Sequence, residues 1–368
     1  MALKSPSDPT FRLSLALVLC AAALGLPACS SSSNKQGNTA VGGGSAGGGS
    51  AAIGGNGGGG GSSNATNRTG FAVLAESVGR FLVRLSPADA TLKTTATTSI
   101  EGVVKDGPEA NLYTESILSS EGRCILYGLA VPTCVNANAG GGCNFSTEAC
   151  TDTDICTKLP TKKNVGTVTV SGVATTSNTD PFALKAVSNS YQVPGEVTLA
   201  YPGFSEGAPI SVSASGSDYP AFEVSAKGVA PLVLAATSYH ASTGESLTVS
   251  WTSGGAASDA RVEVTLNLSH HGGSVGYIAC DVADTGSLTI SAAQVSRLID
   301  LGVAGYPTLT VIRRSIGTVT IAPGTVVLSV ESSASPAFSV EGYTSCSLSD
   351  SSECPSGKTC NTDMKVCE

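Results

Sequence analysis

Between residues 95 and 342 the chain alternates apolar positions, chiefly Val, Ile and Leu, with Ser, Thr and charged ones, a period of two that predicts strands. In the first half these runs fall at 99–104, 124–127, 166–173, 182–186, 196–200 and 210–214. In the second half they fall at 221–225, 232–236, 246–251, 261–268, 276–282, 287–290, 308–313, 318–321 and 325–331. Gly, Pro, Asn or Asp bounds each run, and no long helical pattern intervenes, so antiparallel sandwiches are expected rather than a parallel sheet. Residues 292–301 (AAQVSRLIDL) break the rhythm with helical spacing and read as a crossover between sheets. Ahead of the strands, Phe71, Leu74, Ala75, Val78, Leu82 and Leu85 recur at helical spacing before Pro87. They predict a short amphipathic helix in an entry segment, 69–94, with a strand across Arg80 to Leu85 as the alternative.

Pro231 follows one strand cluster and opens another, which divides the all-β part in two. The expectation is two tandem antiparallel β-sandwich domains, 95–230 and 231–342, each large enough to bury a core. A Cys-rich insert, 134–156, interrupts the first, and a Cys-rich module, 343–368, follows the second. In the second domain Trp251 sits on a predicted strand (LTVSWTS) and Cys280 on a later one (GYIACDV). This resembles an immunoglobulin-like domain in size and rhythm. No Cys precedes the Trp, so the inter-sheet disulfide of that family is not expected and the likeness is one of architecture.

The N-terminus has a different pattern. Lys4 and Arg12 precede the apolar run Leu13 to Gly25, which is followed by Leu26-Pro27-Ala28-Cys29-Ser30. A positive start, a short apolar run and a small residue before a cleavage site make a secretory signal peptide, and the run is too short to span a bilayer. Leu26-Pro27-Ala28-Cys29 resembles the lipobox of bacterial lipoproteins, although Pro27 stands where Ala or Ser is more usual. The resemblance implies cleavage after residue 28 and a diacylglycerol on the Cys29 sulfur. Ser30 after the Cys implies the outer membrane of a Gram-negative cell. Two or more acyl chains on one residue give stable attachment where a single chain does not.

Residues 29–68 form the expected tether. Thirteen of the twenty positions from Gly42 to Gly61 are Gly, a composition that buries no core and predicts a disordered coil. From Ser30 to Arg68 such a coil has a root-mean-square span of roughly 35 Å. The glycines there do not make a dinucleotide fingerprint, because no strand precedes them and no helix follows. Asn64 and Asn67 head glycosylation sequons by spelling only. Lipobox, tether and Ser/Thr/Val-rich β domains together resemble lipoproteins of Gram-negative bacteria whose function is not established.

Charge and composition narrow the partners. Only 13% of residues are charged and the net charge is -8, so neither a coiled coil nor a nucleic-acid surface is expected. Negative charge also leaves the acyl group, rather than a basic patch, to hold the membrane. Apart from Cys20 in the signal peptide and Cys29, ten cysteines remain: Cys124, Cys134, Cys143, Cys150, Cys156, Cys280, Cys346, Cys354, Cys360 and Cys367. An even count in an exported chain predicts disulfides. The last four are spaced C-x7-C-x5-C-x6-C in a tail with almost no aliphatic residues, so bridges must supply its order. Cys134, Cys143, Cys150 and Cys156, spaced C-x8-C-x6-C-x5-C, suggest a second, looser copy. Cys124 and Cys280 are left either to bridge the two domains or to stay reduced. No CxxC pair occurs, which argues against zinc, and no metal or cofactor is expected. The tail resembles small Cys-rich repeats of secreted proteins that mediate protein binding.

Catalytic candidates are few. Gly203 to Gly207 spells GxSxG, but a strand pattern rather than a helix follows, so Ser205 lacks the strained strand-to-helix elbow a hydrolase requires. His240, His270 and His271 are the available histidines, and nothing selects one as a base. His270 and His271 lie on a loop between two strands, where chelation of one metal requires a bend. Asp152 and Asp154 hint at calcium but lack the closing Glu of an EF-hand. The reading is a lipid-anchored, non-enzymatic envelope protein presenting β-sandwiches for adhesion or protein binding. The alternative is a surface hydrolase or a carbohydrate-binding accessory, which requires a groove of paired carboxylates or exposed aromatics. Its expected partners are the membrane, through the lipid, and a protein or glycan ligand, with no nucleic acid.

Overall fold

The computed structural model describes residues 73–88, 93–135, 137, 142–255, 259–271, 273, 275–347 and 353–368. The signal peptide, Cys29 and the tether lie outside the described residues. The first strands are β1 (Gly79–Ser86), β2 (Thr97–Val104), β3 (Thr114–Glu121), β4 (Cys124–Ala130), β5 (Glu148–Asp152) and β6 (Ile155–Lys158). Next come β7 (Val168–Ser171), β8 (Phe182–Ala183), β9 (Lys185–Val187), β10 (Ser190–Gln192), β11 (Pro209–Ala214) and β12 (Phe222–Lys227). After Pro231 follow β13 (Ser238–Ala241), β14 (Leu247–Ser250), β15 (Arg261–Asn267), β16 (Gly276–Ala283), β17 (Ser287–Ile290) and helix α1 (Ala292–Leu301). The chain ends with β18 (Thr308–Thr320), β19 (Thr325–Ala334), β20 (Ala337–Val340), β21 (Cys360–Asn361) and β22 (Val366–Cys367). Among the described residues no helix is long and apolar enough to cross a membrane.

The fold is all-β, in several sheets. Its largest has ten strands in the order β3-β4-β16-β15-β18-β19-β1-β2-β10-β9. Every pairing in it is antiparallel except β1 with β19. One face carries two apolar clusters. Phe81, Val83, Leu85, Ile100, Leu328 and Val330 pack with Val168, Val170, Ile210, Val212 and Phe222 of the four-stranded sheet β12-β11-β7-β8. Further along, Leu126, Val262, Val264, Ile278 and Val311 pack with Leu247, Val249, Trp251, Ile290, Val295 and Leu298. The strands from both sides of Pro231 therefore share one sheet, and the chain changes covering layer where it passes Pro231.

Arg313 fixes that crossing. Its side chain is 1% exposed and donates to the carbonyls of Ala230 at 3.1 Å, Pro231 at 3.0 Å and Thr252 at 2.5 Å. Its Nε also bonds Asp284 at 2.7 Å, and Asp284 in turn accepts from the Trp251 indole at 2.7 Å. The Ser332 hydroxyl accepts from the Leu232 amide at 2.9 Å, on the same strand face. A buried guanidinium with this many acceptors is compensated rather than stranded.

Two segments depart from expectation. The entry segment takes its strand alternative in place of the amphipathic helix: Arg80 to Leu85 lie in β1, in the middle of the large sheet. Phe81, Val83 and Leu85 are fully buried on one face, and pairing on both edges with β2 and β19 satisfies a backbone that helical spacing alone leaves undecided. The runs at 308–313 and 318–321 are one strand, β18, because Gly317 continues it. A Cβ there would overlap the Ser225 carbonyl, so this glycine serves close approach of β12 and not a turn. The runs at 196–200 and 232–236 contribute isolated bridges, Thr175 with Leu199 and Leu234 with Trp251.

Candidate functional site

The ten downstream cysteines form five bridges. Cys124 and Cys280 face each other across β4 and β16, with Cα atoms 4.0 Å apart inside the second apolar cluster. This bridge joins neighbouring strands of one sheet, 156 residues apart in sequence. The other eight close two small modules: Cys134–Cys150 with Cys143–Cys156, and Cys346–Cys360 with Cys354–Cys367. Sulfur atoms cluster closely in both modules, but bridging consumes the thiolates a zinc site requires.

The modules share a construction. Each pairs its first Cys with its third and its second with its fourth, and each ends in a two-stranded hairpin. In the first, Cys150 lies directly opposite Cys156 on β5 and β6, and in the second Cys360 lies opposite Cys367 on β21 and β22. Neither module contains enough aliphatic bulk to hold itself, so the cross-links restrict the unfolded chain in place of a core. The first module displays what the sheets bury: Val135 is 70% exposed, Phe145 73% and Ile155 52%.

The titratable cluster lies elsewhere, on the face of the large sheet opposite the apolar clusters. Glu331 of β19 stands directly opposite Arg84 on one side and Arg314 on the other. Its carboxylate accepts from Arg84 Nε at 2.8 Å, Arg314 Nε at 3.1 Å and the Ser329 hydroxyl at 3.3 Å, and Arg80 stands 3.6 Å away. Arg314 reaches on to Glu263 at 2.6 Å, and Arg261 bonds Asp281 at 2.5 Å. Burial raises the Glu331 pKa, yet the three guanidiniums outweigh it and hold the carboxyl below its usual value. For Glu263 the balance reverses. Burial, helped by Asp281 directly opposite, outweighs Arg314 and pushes its carboxyl up to about 7. This ladder of Arg80, Arg84, Arg261, Glu263, Asp281, Arg314 and Glu331 ties charges into ion pairs across five strands. Strand alternation concealed it, since a charged residue in a period-two run reads as solvent-facing.

The remaining candidates are dispersed. Ser205 lies on a loop that enters β11, with no helix after it. His270 and His271 occupy a turn in which His271 is left-handed (φ 61°), which brings the two rings to 4.0 Å, and burial lowers the His270 pKa. His240 bonds Ser339 at 3.0 Å on the β13–β20 pair. Asp152 and Asp154 sit at the turn of the first module's hairpin, where Asp152 accepts from the Thr153 amide at 2.7 Å. An open groove of about 500 Å³ runs between Thr97 to Ile100 and Val193 to Tyr201, with Tyr201 its aromatic residue.

No family model matches the chain, and comparison with curated proteins finds no match. Among solved structures, the chain is similar over 69% of its length to 72% of the chicken CNTN1 FN1-FN3 domains, at 9% identity and a TM-score of 0.15. A superposition that loose lends no weight to any assignment.

Proposed function

We propose that this chain is a lipid-anchored protein of the cell envelope that binds other proteins and catalyses no reaction. The observation that carries the reading is the pairing of all ten cysteines downstream of Cys29. Disulfides persist outside the cytosol and are rare within it. The lipobox-like segment ending at Cys29 and the Gly-rich tether fit that placement, with the acyl chains holding the folded part near the outer membrane surface. A non-catalytic role is supported by the charge ladder, whose carboxylates are committed to guanidiniums, and by the loop position of Ser205. Binding is supported by the exposed apolar side chains of a covalently closed module, because large apolar groups kept in water mark contact surfaces.

Fractionation of cells carrying the protein or its Cys29→Ala variant tests this reading. The native chain is expected in detergent-soluble envelope fractions, and the variant in the soluble periplasmic or secreted fraction. Equal envelope retention of both would remove the anchor from the account.

A further inference from the structure

Strand β2 pairs along its whole length with β1, but on its other side it meets β10 only at Glu101 to Val103. The rest of that edge, Thr97 to Ile100, is one wall of the open groove, and Val193 to Tyr201 is the other. The groove's volume, about 500 Å³, lies in the range of roughly 300–1,000 Å³ that small-ligand sites occupy. The Thr98 hydroxyl donates to the Ala200 carbonyl at 2.6 Å and ties the two walls together.

The lining decides what such a groove can hold. No Lys, Arg, Asp or Glu lines it, so a charged ligand would enter without a counter-ion. Among the described residues, the hydroxyls of Thr97, Ser99, Thr198 and Tyr201 make no hydrogen bond within the chain. An acyl chain laid against them would leave those hydroxyls unmet. Only four residues of β2 are open, and alternate residues of an antiparallel edge turn N–H and C=O outward, so an added peptide strand gains about two paired positions. Tyr201 is half-buried against the first apolar cluster, and burial raises its hydroxyl pKa, so its ring stands in the groove partly withdrawn from water.

A sugar matches this lining group by group. Its ring presents a C–H face that suits an aromatic side chain, and each of its hydroxyls both donates and accepts, as Ser, Thr and Tyr hydroxyls do. We infer that the groove beside β2 binds a neutral oligosaccharide, with one sugar ring seated on Tyr201 and its hydroxyls met by Thr97, Ser99 and Thr198. No pair of carboxylates lines the groove, so the site binds sugar without the groups that cleave a glycosidic bond. This ligand goes beyond the protein partner proposed above and does not depend on it.

The test is isothermal titration calorimetry of the full chain, held in a detergent without a sugar headgroup. The probes are cellohexaose, maltohexaose, laminarihexaose and chitohexaose, with tetragalacturonate as the charged control and a Thr-Val-Thr-Val peptide as the strand control. At least one neutral hexasaccharide is expected to bind, and neither control. Tyr201→Ala should weaken that binding about tenfold, and Tyr201→Phe, which keeps the ring, less than about threefold. Tyr201 also packs on the core, so a second variant guards the result: Thr198→Arg, at an exposed position, fills the groove and should abolish binding while circular dichroism shows the fold retained. Absence of binding by all four sugars, equal binding of tetragalacturonate, binding of the peptide in their place, or sugar binding indifferent to Tyr201→Ala and Thr198→Arg would each overturn the inference. None of these results bears on the envelope location, which the Cys29→Ala fractionation decides separately.

Discussion

Replacing Glu263 by Gln removes a carboxyl that the fold keeps at an unfavourable ionisation. Glu263 is 3% exposed, stands directly opposite Asp281 and has a pKa raised from 4.5 to about 7. In the unfolded chain it returns to the ordinary value, so between pH 4.5 and 7 the folded state binds the proton more tightly. Stability therefore falls as pH rises through that window, and the full loss is reached above about pH 7. At 1.36 kcal/mol per pH unit the change amounts to about 3 kcal/mol. Glu331 and Asp284 act in the opposite direction. Their guanidinium and hydrogen-bond partners lower their pKa values against burial, so the stability they contribute is lost only on acidification below the ordinary carboxylate range. The oxidised chain should be most stable at mildly acidic pH. Urea unfolding at pH 5, 6, 7 and 8 can be followed by the single tryptophan, Trp251, which is 4% exposed. The native protein should weaken across the series and Glu263→Gln should be nearly flat. A flat native profile, or an unchanged slope in the variant, refutes the account of the ladder.

Three further changes separate covalent from electrostatic contributions. Cys124→Ala with Cys280→Ala opens a loop of 156 residues, which the chain-entropy model values at about 5 kcal/mol, and urea unfolding of the oxidised protein should show a loss of that order. Arg313→Met leaves three buried carbonyls without their donor and Asp284 without its cation, and should cost about 3–5 kcal/mol, seen as a large fall in melting temperature. Lys227→Met breaks the exposed pair with Asp259 and should cost less than about 1 kcal/mol in the same assay.

Much of the architecture was legible because strand periodicity is local. Helix α1 matches its expected span because Ser291 caps it, accepting from the Gln294 amide at 3.2 Å, and Gly302 ends it. Sheet partnership was not legible. Strands β1 and β19 are far apart in sequence yet parallel neighbours, and no local pattern announces a sheet shared across Pro231. Cysteine spacing revealed two similar units but not their connectivity, since four cysteines allow three pairings. The charge ladder has no local signature, because Arg80, Glu263, Arg314 and Glu331 each look solvent-facing alone. Only strand register brings them together.

Intact mass spectrometry of protein purified from its native envelope, without reductant, tests the central claim most directly. The mass should correspond to a chain that begins at Cys29, carries a diacylglycerol and fatty acyl addition on that residue, and lacks ten thiol hydrogens for its five bridges. An unmodified Cys29, or thiols at Cys134, Cys143, Cys150 and Cys156 that react freely with alkylating agent, would contradict it.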